Sequence, residues 1–167
     1  MEYYTKCTEL LYETWHSVLV EKRKKQMSIT IKNNQESSIE IGYFGFYRLR
    51  RRIAELAAPD IYNAYLMVPD VKSETEKKEY NKYLNRLEKK YSDDSRRLVL
   101  EFLYASDCDG SMDAEHCKAV YDLIKDCDDK TQYGYVDRAV WEIPATIATF
   151  ADILKEAIED GKGIEWY

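Results

Sequence analysis

The scarcity of proline and glycine is the feature that most restricts how this chain can fold. Only three prolines and six glycines occur among its 167 residues, so few positions can interrupt a regular backbone. Long helices joined by short loops are therefore expected. A chain of this length is sufficient for one domain, which would bury about two-thirds of the surface that the unfolded chain exposes.

Two stretches of alternating apolar and polar residues predict a β-hairpin over residues 28–42. Residues 28–32 and 38–42 both have a period of two, and a polar tip separates them. The apolar members would share one buried face of the hairpin. Two strands alone are marginally stable in water, so the hairpin must pack on helices. The residues expected on its buried face are Ile29, Ile31, Ile39 and Ile41.

Helical spacing of apolar residues predicts most of the remaining structure. It indicates an N-terminal helix over residues 3–24 and a helical body over residues 44–160. The last apolar stripe keeps helical phase from Val136 to Ile158, which predicts a long helix that Pro144 kinks or splits. The expected fold class is therefore mainly α: a single compact domain over residues 1–167, with six or seven helices and one β-hairpin packed on them.

Charge and hydropathy restrict the partners of the chain. Its formal net charge is -6, which disfavours sequence-independent binding to nucleic acid, since that requires a basic face. The sequence has neither a signal peptide nor an apolar run near the ~20 residues that a membrane span needs. We therefore expect a cytoplasmic protein without a membrane partner, in which the cysteines are reduced thiols.

An acidic turn is the densest group of potential ligands in the sequence. Residues 106–117 read Ser-Asp-Cys-Asp-Gly-Ser-Met-Asp-Ala-Glu-His-Cys, and Asp107, Asp109 and Asp113 are candidate ligands of a divalent cation. An EF-hand loop centred on Gly110 would begin with alanine and end with histidine, so both terminal carboxylates are missing. The favoured interpretation is a structural turn with Asp113 as a helix N-cap. A weak cation site is the alternative, and no other cofactor is expected.

Few residues are available for catalysis. The chain has only two histidines, and it contains no phosphate-binding glycine loop and no nucleophile elbow. A non-catalytic protein is therefore favoured over an enzyme. The alternative is a metal-dependent protein or hydrolase that uses Asp107, Asp109 and Asp113.

An aromatic and arginine-rich segment joins the hairpin to the next helix. Its arginines could form a solvated face that pairs with the chain's own carboxylates. They could also bind an anionic partner, with the neighbouring aromatic rings available for stacking. Nucleic-acid binding through residues 48–52 is accordingly the second alternative function. The candidate binding residues are Tyr43, Phe44, Tyr47, Arg48, Arg50, Arg51 and Arg52.

The aromatic segment over residues 43–50 and the turn over residues 106–117 together resemble a family of small, uncharacterised bacterial and phage-encoded proteins. That family pairs an aromatic-glycine-aromatic-arginine segment with a later Ser-Asp-Cys-Asp-Gly turn that opens a helix. The likeness covers about a quarter of the chain. This sequence departs from the family pattern at Tyr47, Ala105 and His116, where the family has histidine, histidine and glutamate. The resemblance implies a phage or mobile-element setting and no particular activity.

The sequence thus favours a non-catalytic intracellular accessory protein that acts by binding another macromolecule. The absence of a recognisable catalytic set and the fifteen tyrosines support this hypothesis, because tyrosine is common in binding surfaces. A protein partner is expected. The family setting makes host or defence machinery the most concrete candidate.

Overall fold

The computed structural model describes residues 28–67, 73–136 and 143–167. The helices of this part of the chain are α1 (Tyr43–Ala57), α2 (Pro59–Met67), α3 (Glu74–Lys90), α4 (Arg96–Leu103), α5 (Ala114–Ile124) and α6 (Ile147–Glu159). Its strands are β1 (Ser28–Asn33), β2 (Ser38–Gly42), β3 (Gly110–Met112), β4 (Gly134–Val136), β5 (Pro144–Ala145) and β6 (Ile164–Trp166). The N-terminal helix predicted over residues 3–24 lies outside the described residues.

The predicted hairpin is confirmed and forms the middle of a larger sheet. Ile29 lies opposite Ile41, and Ile31 lies opposite Ile39. All four side chains are buried, as the alternating pattern predicts. The antiparallel sheet has the strand order β3-β6-β1-β2-β4-β5, so both edges of the hairpin are paired. On the β6 side, Trp166 lies opposite Ile31.

The expected fold class, a mainly α domain with one hairpin, is wrong. The described residues combine six helices with a six-stranded antiparallel sheet, which is an α/β fold. Strands β3 to β6 contain only two or three residues each, too few to show a recognisable period. β6 and β4 pair with the backbone groups at the two edges of the hairpin, and β3 and β5 pair in turn with β6 and β4.

The long C-terminal helix predicted through Pro144 is also wrong. Helix α6 begins only at Ile147, where the Thr146 side chain accepts a hydrogen bond from the backbone N–H of Thr149. Pro144 lies in β5 at the edge of the sheet, where its missing N–H removes no ladder hydrogen bond. Part of the predicted helix falls on residues 137–142, outside the described residues. Beyond this helix, Ile164–Trp166 form β6, an interior strand of the sheet.

The helices before β4 agree with their sequence patterns more closely than the C-terminal helix does. Helix α1 buries Phe46, Leu49 and Ile53 on one side, and it contacts β1 and β2. The predicted cap of α5 is confirmed, because Asp113 accepts a hydrogen bond from the backbone N–H of His116. No helix in the described ranges is both long enough and apolar enough to cross a membrane.

Candidate functional site

Helix α1 distributes the predicted arginines over two opposite sides. Arg50 is fully buried, whereas Arg48 and Arg51 are exposed. The helical period explains this division, because Arg50 follows Phe46 by four positions and precedes Ile53 by three. Arg50 therefore shares the stripe that faces the core. The expectation that it belongs to a solvated basic face is wrong.

Buried Arg50 holds the acidic turn against α1. Its Nη1 atom donates to the carbonyl oxygen of Ala105 at 3.0 Å and forms an ion pair with Asp107. The guanidinium carbon lies 4.0 Å from the centroid of the Phe46 ring and 5.6 Å from that of the Trp166 ring. Burial raises the pKa of the Asp107 carboxyl, and the positive charge of Arg50 opposes that rise. The Arg50 side chain is fully buried and that of Asp107 is 18% exposed, so the pair lies largely out of solvent and holds the turn in place.

The turn is fixed from the sheet side as well. The indole Nε1 of Trp166 donates to the carbonyl oxygen of Ser106 at 2.8 Å. The hydroxyl of Ser106 accepts from the backbone N–H of Cys108 at 3.2 Å and donates to Asp109 at 3.1 Å. A Cβ atom at Gly110 would overlap the Trp166 ring. The backbone of the turn therefore has one well-defined conformation.

The two segments that carry the family resemblance thus lie in direct contact. Besides the pair of Arg50 with Asp107, the phenol of Tyr43 lies 3.5 Å from the sulfur of Cys108. Burial, together with this contact to the thiol, raises the pKa of Tyr43 to about 12. The aromatic segment and the acidic turn form one structural unit.

The three candidate metal ligands are each engaged separately. Asp107 pairs with Arg50, Asp109 accepts from Ser106, and Asp113 caps helix α5. Within the ranges that the structure describes, no group of three or more histidine, cysteine or acidic side chains is arranged to hold a metal ion. The weak cation site remains a prediction.

His116 forms a two-sided contact that sequence reasoning missed. Its Nδ1 lies 2.8 Å from Oδ1 of Asp113, and its Nε2 lies 2.8 Å from Oε2 of Glu101 on α4. Only the imidazolium form can donate from both ring nitrogens. Burial lowers the pKa of His116, but the two carboxylates outweigh it and leave the pKa raised. In the sequence, the only indication of this contact is Asp113, the helix cap that precedes His116 by three residues.

Arg52 forms ion pairs with two carboxylates of this chain. Its Nη1 atom lies 2.6 Å from Oε2 of Glu55, and its Nε atom lies 3.4 Å from Oδ2 of Asp129. A further N–H donates to the sulfur of Cys127 at 3.7 Å. Arg52 therefore matches the interpretation in which the arginines pair with acidic side chains.

Arg48 and Arg51 differ from Arg52, because each contacts a phenol. Nε and Nη2 of Arg51 donate to the hydroxyl of Tyr62 at 3.3 and 3.0 Å. The guanidinium carbon of Arg48 lies 5.8 Å from the ring centroid of Tyr133. In the part of the chain that the structure describes, neither arginine forms an ion pair. The two phenols were not predicted, because they lie on other elements.

The aromatic candidates on α1 also differ in their exposure to solvent. The side chain of Phe44 is 68% exposed, and it precedes Arg48 by about one helical turn. Tyr47 is half-buried and stacks on Tyr65 of α2, with ring centroids 5.4 Å apart. We use the name outer arginine face for the surface formed by Phe44, Arg48 and Arg51.

Comparison of the chain with protein-family models, with curated proteins and with solved structures finds no match. The function must therefore be inferred from the geometry of the chain itself.

Proposed function

We propose that this protein is a non-catalytic accessory protein that binds another protein through the outer arginine face. The observation that carries the proposal is the state of Arg48 and Arg51. Both are exposed, and both lie against a phenol without an ion pair among the described residues. An exposed charge that forms no ion pair with the described residues can pair with a carboxylate of a partner.

Most of the other described arginines, in contrast, pair with a carboxylate of this chain. The chain contains 31 acidic residues, and Arg50, Arg52, Arg96 and Arg97 each contact a carboxylate. Among the arginines of the described residues, Arg48, Arg51 and Arg86 lack an ion pair, and of these three only Arg48 and Arg51 lie beside a phenol. Phe44 adds an exposed aromatic ring to the same surface, and aromatic residues and arginine are the types enriched in protein interfaces.

The cellular setting is part of the proposal. The family resemblance supports a phage or mobile-element protein whose partner belongs to host or defence machinery. A cytoplasmic location is consistent with such a partner.

Affinity capture from the lysate of the native host tests the proposal. The unaltered protein should retain a partner, and the double variant Arg48→Glu/Arg51→Glu should lose it. The matched control is Arg86→Glu/Lys89→Glu on α3, because it reverses two exposed charges at the same three-residue spacing. Retention of no protein, or equal loss from both variants, would contradict the proposal.

A further inference from the structure

Arg48 and Arg51 are arranged to contact one ligand together. Residues three positions apart on a helix lie on the same side, separated by about 4.5 Å along the axis. Both side chains are exposed, so a single extended or helical segment could reach both. Phe44 lies on the same surface, about one turn before Arg48.

The phenols orient the two guanidinium groups before a ligand binds. Tyr62 accepts from Nε and Nη2 of Arg51, and Nη1 forms no hydrogen bond within the described residues. The Tyr133 ring beside Arg48 is itself held, because its hydroxyl donates to Asp129 at 2.9 Å. An arginine that is already ordered loses less side-chain entropy when it binds. The planar guanidinium suits carboxylates and phosphates in particular.

The charge distribution favours carboxylates over a nucleic acid. Arg50 is buried against Asp107, and Arg52 is neutralised by Glu55 and Asp129. The arginine run therefore presents two available cations rather than a basic stripe, and nucleic-acid affinity depends on neutralising many phosphates. The net charge of -6 would repel a long polyanion. Repulsion of a short acidic segment is screened beyond about 8 Å at physiological ionic strength.

We infer that the outer arginine face binds an acidic protein segment, in which two carboxylates pair with Arg48 and Arg51 while a neighbouring apolar side chain packs on Phe44. This inference rests on the proposed function and specifies the chemical class of the partner.

Fluorescence anisotropy with defined probes tests the inference directly. The first probe is a short fluorescein-labelled peptide of Glu and Asp around a central Leu-Phe pair. The second has the same apolar centre with Gln and Asn in place of the acids, and the third is an oligothymidylate of similar length. We expect saturable binding of the acidic peptide only. Arg48→Glu/Arg51→Glu should weaken it roughly tenfold or more, because two attractive charge pairs become repulsive.

The control Arg86→Glu/Lys89→Glu should bind the acidic peptide as the unaltered protein does. The inference is overturned if the acidic peptide does not bind, if the neutral peptide or the oligothymidylate binds as tightly, or if both double variants weaken binding equally. A host partner whose capture depends on Arg48 and Arg51, combined with no binding of the acidic peptide, would leave the proposed function standing and reject the acidic segment.

Discussion

Arg50 and Arg51 are neighbours in sequence, yet Arg50 is fully buried among aromatic rings whereas Arg51 lies exposed beside the phenol of Tyr62. The inner side of α1 uses its arginine to hold the acidic turn in place. The outer side displays arginines that form no ion pair with the residues that the structure describes. A run of like charges therefore has no single role, because the helical phase directs each member to a different environment.

The arginines on the two sides of α1 should differ strongly in their contribution to the free energy of unfolding. Arg50→Met should lower the free energy of unfolding by about 3 kcal/mol, because it leaves the largely buried carboxylate of Asp107 without its cation. Arg51→Met, the matched control on the outer side, should cost less than about 1 kcal/mol. Urea unfolding followed by tryptophan fluorescence measures both values. Similar costs for the two variants would remove the contrast between the sides of α1.

A smaller effect tests the packing that fixes the turn against the sheet. Gly110→Ala should destabilise the protein by about 1–3 kcal/mol, because the added methyl group would overlap the Trp166 ring and force the core to shift. Gly42→Ala is the control, since a Cβ atom there meets no atom within 4 Å. It should change the stability by less than about 1 kcal/mol. Thermal unfolding of both variants is the measurement, and an unchanged stability for Gly110→Ala would contradict the packing of the turn.

The smallest expected effect is a dependence of the free energy of unfolding on pH. It arises where His116, near the cap of α5, contacts Glu101 on α4. The folded pKa of His116 is raised above its ordinary value of 6.5, so the folded state binds the proton more tightly than the unfolded state. The stability contributed by the imidazolium is therefore fully present below pH 6.5 and is lost as the pH rises through the folded pKa.

Unfolding experiments across this pH range should show the loss for the unaltered protein and not for His116→Gln. Titration of the His116 ring by NMR provides the folded pKa independently. A ring pKa below the ordinary value would show that His116 does not bridge Asp113 and Glu101 as a cation.

Several elements of the fold were predictable because their signals are local. The hairpin follows from two short alternating stretches, and α1 follows from the stripe that contains Phe46, Leu49 and Ile53. The cap of α5 follows from Asp113 at the start of a helical pattern. Each of these signals depends on residues within a few positions of one another, so secondary-structure preferences suffice to reveal them.

Other elements depend on contacts between distant parts of the chain. Val136 to Ile158 keeps a helical phase, but the edge of β2 pairs with β4 instead, with Ile39 opposite Val136. β6 is an interior strand because it pairs with the edge of β1 that β2 leaves open. Tertiary pairing of backbone groups overrides local propensity in such cases.

The candidate site shows the same division. The sequence identifies the aromatic segment and the acidic turn as unusual, and it makes the arginines candidates for binding. It does not reveal that Arg50 binds Asp107, that Arg51 lies on Tyr62, or that His116 reaches Glu101. These partners lie between eleven and fifty-seven residues away along the chain.

The sequence alone determined the positions of the hairpin, of α1 and of the turn, and it restricted the chain to few interruptions and an acidic surface. Only the tertiary structure shows which arginine pairs with a carboxylate and which lies exposed beside a phenol. The physical reason is that helical phase follows from neighbouring residues, whereas the neutralisation of a charge depends on the distant carboxylates and phenols that folding brings to it.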